Sequence, residues 1–401
     1  MHDVAVEMTR RGFQVVVFTS NRGYADPGNE YADYEYLEGV HVVRLAWSSF
    51  GKSSIAARLV GGGLFLAQAV TCAATLPRID HLLVSTSPPM GGIAGPILRR
   101  LRSVPFTFWS MDLNPDQIVA SGRFEATSWP VRAFDWLMRE TLLAAEHVVA
   151  LDPFMAERLR RKEEIGSKLT ILPPWPHLDG STLPSGPDGS RFRQAHGLSD
   201  KLVIMYSGNL SPVHSVQTVL DAARSLYEDQ QFSFVFVGAG LGRAEIERCV
   251  TQFGLRNVKT LPYQPLSELH EALAAADVHL VSMGPSMVGI VHPCKIYGAM
   301  AVGRPILALG PRGSHVAEIV TKHDVGWHVE HGDTARMLEV LRALRHMPRR
   351  ELEALGQRAS RIVQESFSRV RLLRAFCDVL EGTPIATDGS SCADRALETN
   401  A

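Results

Sequence analysis

The sequence predicts an α/β protein of two Rossmann-like domains facing a cleft. Three observations predict it: the length of the chain, two successive series of short apolar runs alternating with helical patterns, and a Pro/Gly/Ser-rich break between the series. At 401 residues the chain exceeds one ordinary doubly wound domain and suits two, at roughly 150 residues per domain. Hydrophobic residues make up 45% and charged residues 21%, with a formal net charge of -1. That balance fits a globular protein and gives no reason to expect a nucleic-acid partner.

The first series is QVVVFTS from Gln14, VHVVRLA, HLLVST, FTFWSMD, HVVALD and LTILPP. Each run is short and continuously apolar, as strands buried on both faces are. Helical patterns at 94–101, 131–145 and 153–161 separate several of them, so the connections read as βαβ crossovers and the first half as a parallel α/β domain, residues 1–178. Residues 59–77 carry no charge and approach the length needed to span a bilayer. Their three glycines, Gly61, Gly62 and Gly63, and the mid-segment Gln68 favour a buried crossover helix, while peripheral membrane contact stays compatible with the stretch.

Residues 173–200 concentrate Pro, Gly, Ser and Asp, which places a linker at 179–200. Alternation restarts with LVIMYSG, FSFVFVG, VKTLPY, VHLVSMG and RPILALG, giving a second α/β domain over 201–365. A helix follows at 366–380, and residues 381–401 lack periodic apolar positions and read as a disordered tail. The cysteines Cys72, Cys249, Cys294, Cys377 and Cys392 are odd in number and unpaired in spacing, which suits a reducing cytoplasm. The first residues are charged and polar and show no signal-peptide pattern.

In open α/β sheets ligands bind beyond the carboxyl ends of the strands. In the second domain those ends read SGNLSPVH (207–214), VGAGLGR (237–243), LPYQPLSE (261–268), SMGPSMVGIVHPCKIYG (282–298) and LGPRGSH (309–315), nearly all bearing glycine. Glycine lets backbone N–H groups approach a phosphate, and a following helix start adds partial positive charge, so a repeated set favours phosphate binding over plain turns. VGAGLGR fails the dinucleotide fingerprint, because Arg243 stands where the third glycine belongs and the next strand ends in Pro262 and Tyr263. A nicotinamide dehydrogenase is disfavoured. No Walker-type lysine motif is present.

These segments, in order with GFQVVVFTS, STSPP, VPFTFWSMDLNPD, HVVALDPFMAERL and GWHVEHGD, resemble a family 4 glycosyltransferase of the GT-B fold. The similarity is to the exopolysaccharide and colanic acid biosynthesis type and covers nearly the whole chain. The resemblance implies a nucleotide-sugar donor, a lipid-linked or polysaccharide acceptor, retaining transfer, no cofactor and a cytoplasmic location, at the inner face of the membrane for a lipid-linked acceptor. It puts Gly208, Asn209, Gly238 and Gly240 near the donor diphosphate, Tyr263 and Gln264 near the base, and Lys295 facing phosphates or sugar. Asn209 and His214 stand where many members carry an arginine and a lysine, and Ile290 and Gly298 where many carry two glutamates, which puts the usual ribose and hexose contacts in doubt. Lys295 and, if protonated, His214 are the candidates for stabilising the leaving group. Asp112 is the acceptor-side candidate, with an N-cap as its alternative role. With no Asp-x-Asp pair in the chain, no catalytic metal is expected.

Two rivals use the same fold: a nucleotide-sugar epimerase, which would turn over donor without acceptor, and a non-catalytic partner subunit, suggested by the four altered donor positions together with the missing first strand. The opening MHDVAVEMTRRG is helical in pattern, whereas a Rossmann-like half is expected to open with a strand. The first strand of this domain is therefore expected to be missing and the natural protein to start roughly 15 to 30 residues upstream, enough for one strand of ~5–6 residues with its loop and lead-in, and the chain as given is expected to be unstable or inactive.

Overall fold

The computed structural model describes residues 1–23, 28–46, 48, 55–86, 88–176 and 189–382. The chain groups into two compact units, one of Met1–Trp109, Ala144–Val149 and Val370–Ala401, the other of Ser110–Leu143 and Ala150–Arg369.

The first unit opens with the helix His2–Arg10, whose Val4, Ala5 and Val6 are buried. Strands β1 (Val16–Ser20), β2 (Tyr34–Leu37) and β3 (Val40–Leu45) form a sheet in the order β1-β3-β2. Strand β2 corrects the purely parallel reading, because it pairs with β3 antiparallel. The turn between them is Glu38–Gly39, with φ of 51° and 85°, and two successive positive φ values are what a tight hairpin requires. Tyr34 and Tyr36 are exposed, so β2 never becomes a doubly buried apolar run.

Strands β4 (Leu82–Ser85), β5 (Phe106–Trp109) and β6 (His147–Ala150) are paired in parallel, and β7 (Leu169–Ile171) follows. The helix Ile55–Thr75 forms as expected, but it is not buried: from Val60 on, only Gly61 and Ala73 are buried, and Val60 and Leu64 are 56% and 41% exposed. Apolar composition gave the helix, and packing leaves one of its faces uncovered. Among the described residues no helix is long and apolar enough to cross a membrane. The C-terminal helix Arg369–Leu380 packs into this unit, with Phe376 against Trp109 at 4.3 Å between rings. Arg11 pairs with Asp378 at 2.7 Å and Glu381 at 3.0 Å.

The second unit holds one parallel sheet built from β8 (Leu202–Ser207), β9 (Phe232–Val237), β10 (Val258–Leu261), β11 (Val278–Ser282), β12 (Ile306–Leu309) and β13 (Gly326–Val329). Its order is β10-β9-β8-β11-β12-β13, the doubly wound arrangement in which the third, second and first strands precede the fourth. Successive residues of β8 feed opposite faces: Ile204 and Tyr206 join one apolar cluster, Val203 and Met205 another. That is why the run is continuously apolar.

Within the stretch expected to be a structureless linker, residues 177–188 lie outside the described residues, but Ser190–Ala195 is a helix. Its Phe192 is buried, and the carboxylate of Glu271 accepts from the backbone N–H groups of Arg191 at 2.9 Å and Phe192 at 3.2 Å. One apolar side chain and a distant carboxylate hold a turn and a half of helix that periodicity cannot reveal. The tail from residue 383 on lies outside the described residues.

Candidate functional site

In the second unit's sheet the chain reverses direction of winding between β8 and β11, and the crevice at such a switch point is where doubly wound sheets bind ligands. Two loops meet there. One runs from Gly208 to Val216 after β8, the other from Met283 to Cys294 after β11, ending in the helix Lys295–Ala301.

Lys295 crosses from its helix to the first loop. Its ammonium hydrogen-bonds the hydroxyl of Tyr206, donates to the carbonyl of Asn209 at 3.0 Å and sits 4.1 Å above the Tyr206 ring. Tyr206 in turn donates to the same Asn209 carbonyl at 2.7 Å. Burial lowers the Lys295 pKa to about 8 and raises that of Tyr206. The lysine has no carboxylate partner among the described residues, so it is a desolvated cation held by neutral oxygens and a ring. An anion beside it would relieve that desolvation.

The glycines allow this crowding. Gly208 has φ of 134°, and a Cβ there would come 2.5 Å from Cε of Lys295. Gly238, at φ 140°, is pressed against the Gly208 carbonyl, and a Cβ on it would stand 3.4 Å from the Tyr263 ring. Gly240, at φ 136°, abuts the Leu210 carbonyl and would place a Cβ 2.6 Å from Oδ1 of Asn209. Thus Gly208, Asn209, Gly238, Gly240, Tyr263 and Lys295 are gathered at the ends of β8, β9 and β10. Tyr263 is 55% exposed, and Gln264 beside it donates to the Pro262 carbonyl at 2.9 Å.

His214 faces the second loop, where its Nδ1 accepts from the N–H of Gly284 at 3.3 Å. Burial, then the charges of Lys295 and His331, lower its pKa to about 4. At neutral pH its ring is therefore uncharged, unlike the protonated form considered from sequence. A phosphate bound beside it would raise that value. Ile290 is 2% exposed and apolar, and its carbonyl accepts from the N–H of Leu113 at 2.8 Å. Asp112 forms a β-bridge with Val291 next to it, and burial raises its carboxyl pKa. Gly298 stands apart from the gathered loops: a Cβ there would meet only Cδ1 of Leu273, at 3.7 Å.

The second loop is anchored by a buried polar chain that sequence reading missed. Asp152 accepts from Nδ1 of His292 at 2.7 Å; Nε2 of His292 lies 2.9 Å from the Tyr297 hydroxyl, which lies 3.0 Å from Nε2 of His315. The carboxylate accepts from His292, and the Tyr297 hydroxyl bridges the two imidazoles. Burial would raise the Asp152 pKa, but the His292 hydrogen bond brings it below the ordinary value. Burial lowers His315 to about 3. Asp152 also caps the helix Pro153–Lys162 through the N–H of Met155 at 2.8 Å. The signal was available, since Asp152 follows the apolar run ending in β6 and His292 precedes Lys295 by three residues.

Residues 1–175 match the family described as glycosyl transferase 4-like domain, and residues 188–361 match glycosyl transferases group 1. The chain is 22% identical over 299 residues to the probable glycosyltransferase WbjE of Pseudomonas aeruginosa, covering 75% of this chain and 74% of that one. It is 29% identical over 166 residues to the putative colanic acid biosynthesis glycosyl transferase WcaI of Escherichia coli K12, covering 41% and 40%. Among solved structures, Anabaena Alr3699/HepE in complex with UDP-glucose superposes with a TM-score of 0.69 at 18% identity, over 95% of this chain and 94% of that one. WaaG, a glycosyltransferase involved in lipopolysaccharide biosynthesis, gives 0.68 at 17% identity, over 95% of both chains. At such identities these two likenesses concern the fold. The paired family matches, together with the six-stranded doubly wound sheet and its glycine-lined switch point, show that the chain belongs to the family 4 glycosyltransferases of the GT-B fold.

Proposed function

We propose that this glycosyltransferase moves a sugar from a nucleoside diphosphate sugar to a lipid-linked or polysaccharide acceptor, with retention at the anomeric carbon and without a metal. The observation that carries the donor reading is the desolvated Lys295 cation over the glycine-lined end of β8. The UDP-glucose bound by HepE supports a nucleotide-sugar donor, and the name of WcaI supports a role in exopolysaccharide biosynthesis, at the cytoplasmic face of the membrane if the acceptor is lipid-linked.

In this reading residues 201–365 bind the donor and residues 1–178 form the acceptor-side domain. The diphosphate lies against Lys295 and the loops at Gly208, Asn209, Gly238 and Gly240, with the base beside Tyr263 and Gln264. The acceptor hydroxyl attacks the anomeric carbon on the face from which the diphosphate leaves. The bond to the leaving oxygen breaks with its electron pair going to the diphosphate, and the hydroxyl proton passes to that phosphate oxygen. Lys295 meets the developing negative charge, His214 adds a positive charge if it takes up a proton there, and Asp112 serves the acceptor side. Ile290 offers no hydrogen-bonding side chain and Gly298 none at all, so the donor's hydroxyls are held by backbone groups.

The test is a calorimetric comparison of UDP with uridine on the full chain. UDP is expected to bind at least about tenfold more tightly, since charge-assisted hydrogen bonds contribute ~1.5–3 kcal/mol. Equal affinities would overturn the phosphate site.

A further inference from the structure

The unit that carries Lys295 also holds a separate open cavity of about 520 Å³. It lies among the helices Asp116–Ala120, Trp129–Ala144 and Pro153–Lys162 and the loop residues Ser286 and Ile290. A volume of roughly 300–1,000 Å³ is the usual range for a small-molecule site.

Its walls have two characters. Val119, Val131 and Ile290 are apolar lining residues, joined by Trp136, a residue 58% exposed although it is among the largest apolar groups of its helix. Aromatic faces left open in a concave site offer flat apolar area to a ligand. The charged lining residues are four cations, Arg132, Arg139, Arg158 and Lys162, and two carboxylates, Asp116 and Asp135.

Two of the cations are already engaged. Lys162 lies 2.8 Å from Asp116 and 2.6 Å from Asp135, and Arg139 pairs with Asp135 at 2.8 Å and Glu163 at 3.2 Å. The others are not. Arg132 has no side-chain hydrogen bond or ion pair among the described residues, and Arg158 uses only Nε, donating to the Val288 carbonyl at 2.7 Å. Two guanidinium groups without a carboxylate thus face one cavity, and a guanidinium recognises carboxylate or phosphate through paired N–H donors. The cavity shares a loop with the Lys295 site: Ile290, in its wall, is tied to Leu113, and the same loop leads on to Lys295.

We propose that this cavity receives the acceptor, a sugar bearing an anionic group. Trp136 lies against the face of the sugar ring, and Arg132 and Arg158 take the phosphate or carboxylate. Its assignment as acceptor site rests on the glycosyl-transfer reading above, whereas binding there can be tested without turnover.

The experiment is calorimetric titration of the full chain, saturated with UDP, by glucose 1-phosphate, glucuronate and glucose. Both anionic sugars, or one of them, are expected to bind at least about tenfold more tightly than glucose. Preference for glucose 1-phosphate identifies a phosphate ligand, preference for glucuronate a carboxylate. Arg132→Gln, at an exposed and unpaired position, is expected to abolish the preference while leaving UDP affinity unchanged, and Trp136→Ala to weaken all three sugars. Absence of binding by both anionic sugars, or an undiminished preference in Arg132→Gln, overturns the proposal. A chain that fails to bind UDP overturns the donor reading separately; the same titrations are then run on the unliganded chain and its Lys295→Ala variant. Anionic-sugar binding lost in Arg132→Gln but kept in Lys295→Ala supports the cavity, and the reverse pattern assigns the anion to Lys295 and overturns it.

Discussion

Lys295 is a lysine whose charge is poorly solvated, and this has a pH signature. Its pKa of about 8 lies below the ordinary 10.5, so the folded chain disfavours the protonated form, and this penalty disappears as pH rises from about 8 towards 10.5. Donor binding runs the other way, because a diphosphate needs the ammonium. UDP affinity is expected to fall as pH rises above about 8, where the free chain loses the proton, and to go on falling up to the higher pKa that the bound anion gives the lysine. Lys295→Arg, which stays charged, is expected to lose that dependence, and a calorimetric pH series from 7.5 to 10 reads it. Lys295→Ala is expected to lower turnover by about 10²–10³, the usual cost of losing one leaving-group contact, with little change in thermal unfolding. His214→Ala should cost less at pH 7, where burial keeps the ring neutral, and more towards pH 5, where a bound diphosphate would hold its proton.

At the scale of elements, the strand-end glycines and the helix-start loop form one packed junction. Gly208→Ala combines a φ of 134° with a Cβ 2.5 Å from Lys295, so it is expected to displace the lysine and abolish UDP binding. Gly298→Ala has space around it in a helix and is expected to raise stability by ~0.4–1 kcal/mol without weakening UDP. Thermal unfolding and titration on both variants separate close approach from chance. The buried chain anchored on Asp152 holds the loop and helix that carry Lys295, through His292 and Tyr297. Asp152→Ala removes a helix cap, worth ~0.5–2 kcal/mol, and strands the His292 N–H, worth ~1–3 kcal/mol, so a loss of about 2–4 kcal/mol is expected in urea unfolding. Because the folded carboxyl titrates below its ordinary 3.8, its contribution is present above that pH and is lost as pH falls further.

For the molecule as a whole, the two units are stabilised by different things. The C-terminal helix completes the core of the unit that contains the N-terminal helix, through Phe376 on Trp109 and Arg11 on Asp378. Phe376 is 1% exposed, and Phe376→Ala is expected to cost ~3–5 kcal/mol. UDP, bound by the other unit, is expected to raise that unit's unfolding temperature by mass action and to leave the weakened one where it is. Calorimetric scans of wild type and Phe376→Ala, with and without UDP, check both statements; equal UDP shifts in every transition would overturn the separation.

By itself the sequence determined the fold class, the placement of most strands and helices, and the strand ends from which a ligand site would be built. These follow from local pattern: doubly buried strands must be continuously apolar, and sharp turns at strand ends must carry glycine. It also marked Lys295, because a cation at a helix start needs a compensating partner. Tertiary structure decided the rest. It turned residues 34–37 into an antiparallel strand whose exposed side chains carry no burial pattern, and made a helix at 190–195 out of one buried Phe192 and a carboxylate from Glu271, some eighty residues away in sequence. It left the apolar helix Ile55–Thr75 half uncovered, and it assembled Asp152, His292, Tyr297 and His315 into one hydrogen-bonded chain. Each of these depends on which distant residue arrives beside a side chain, and the periodicity of a single segment carries no information about that.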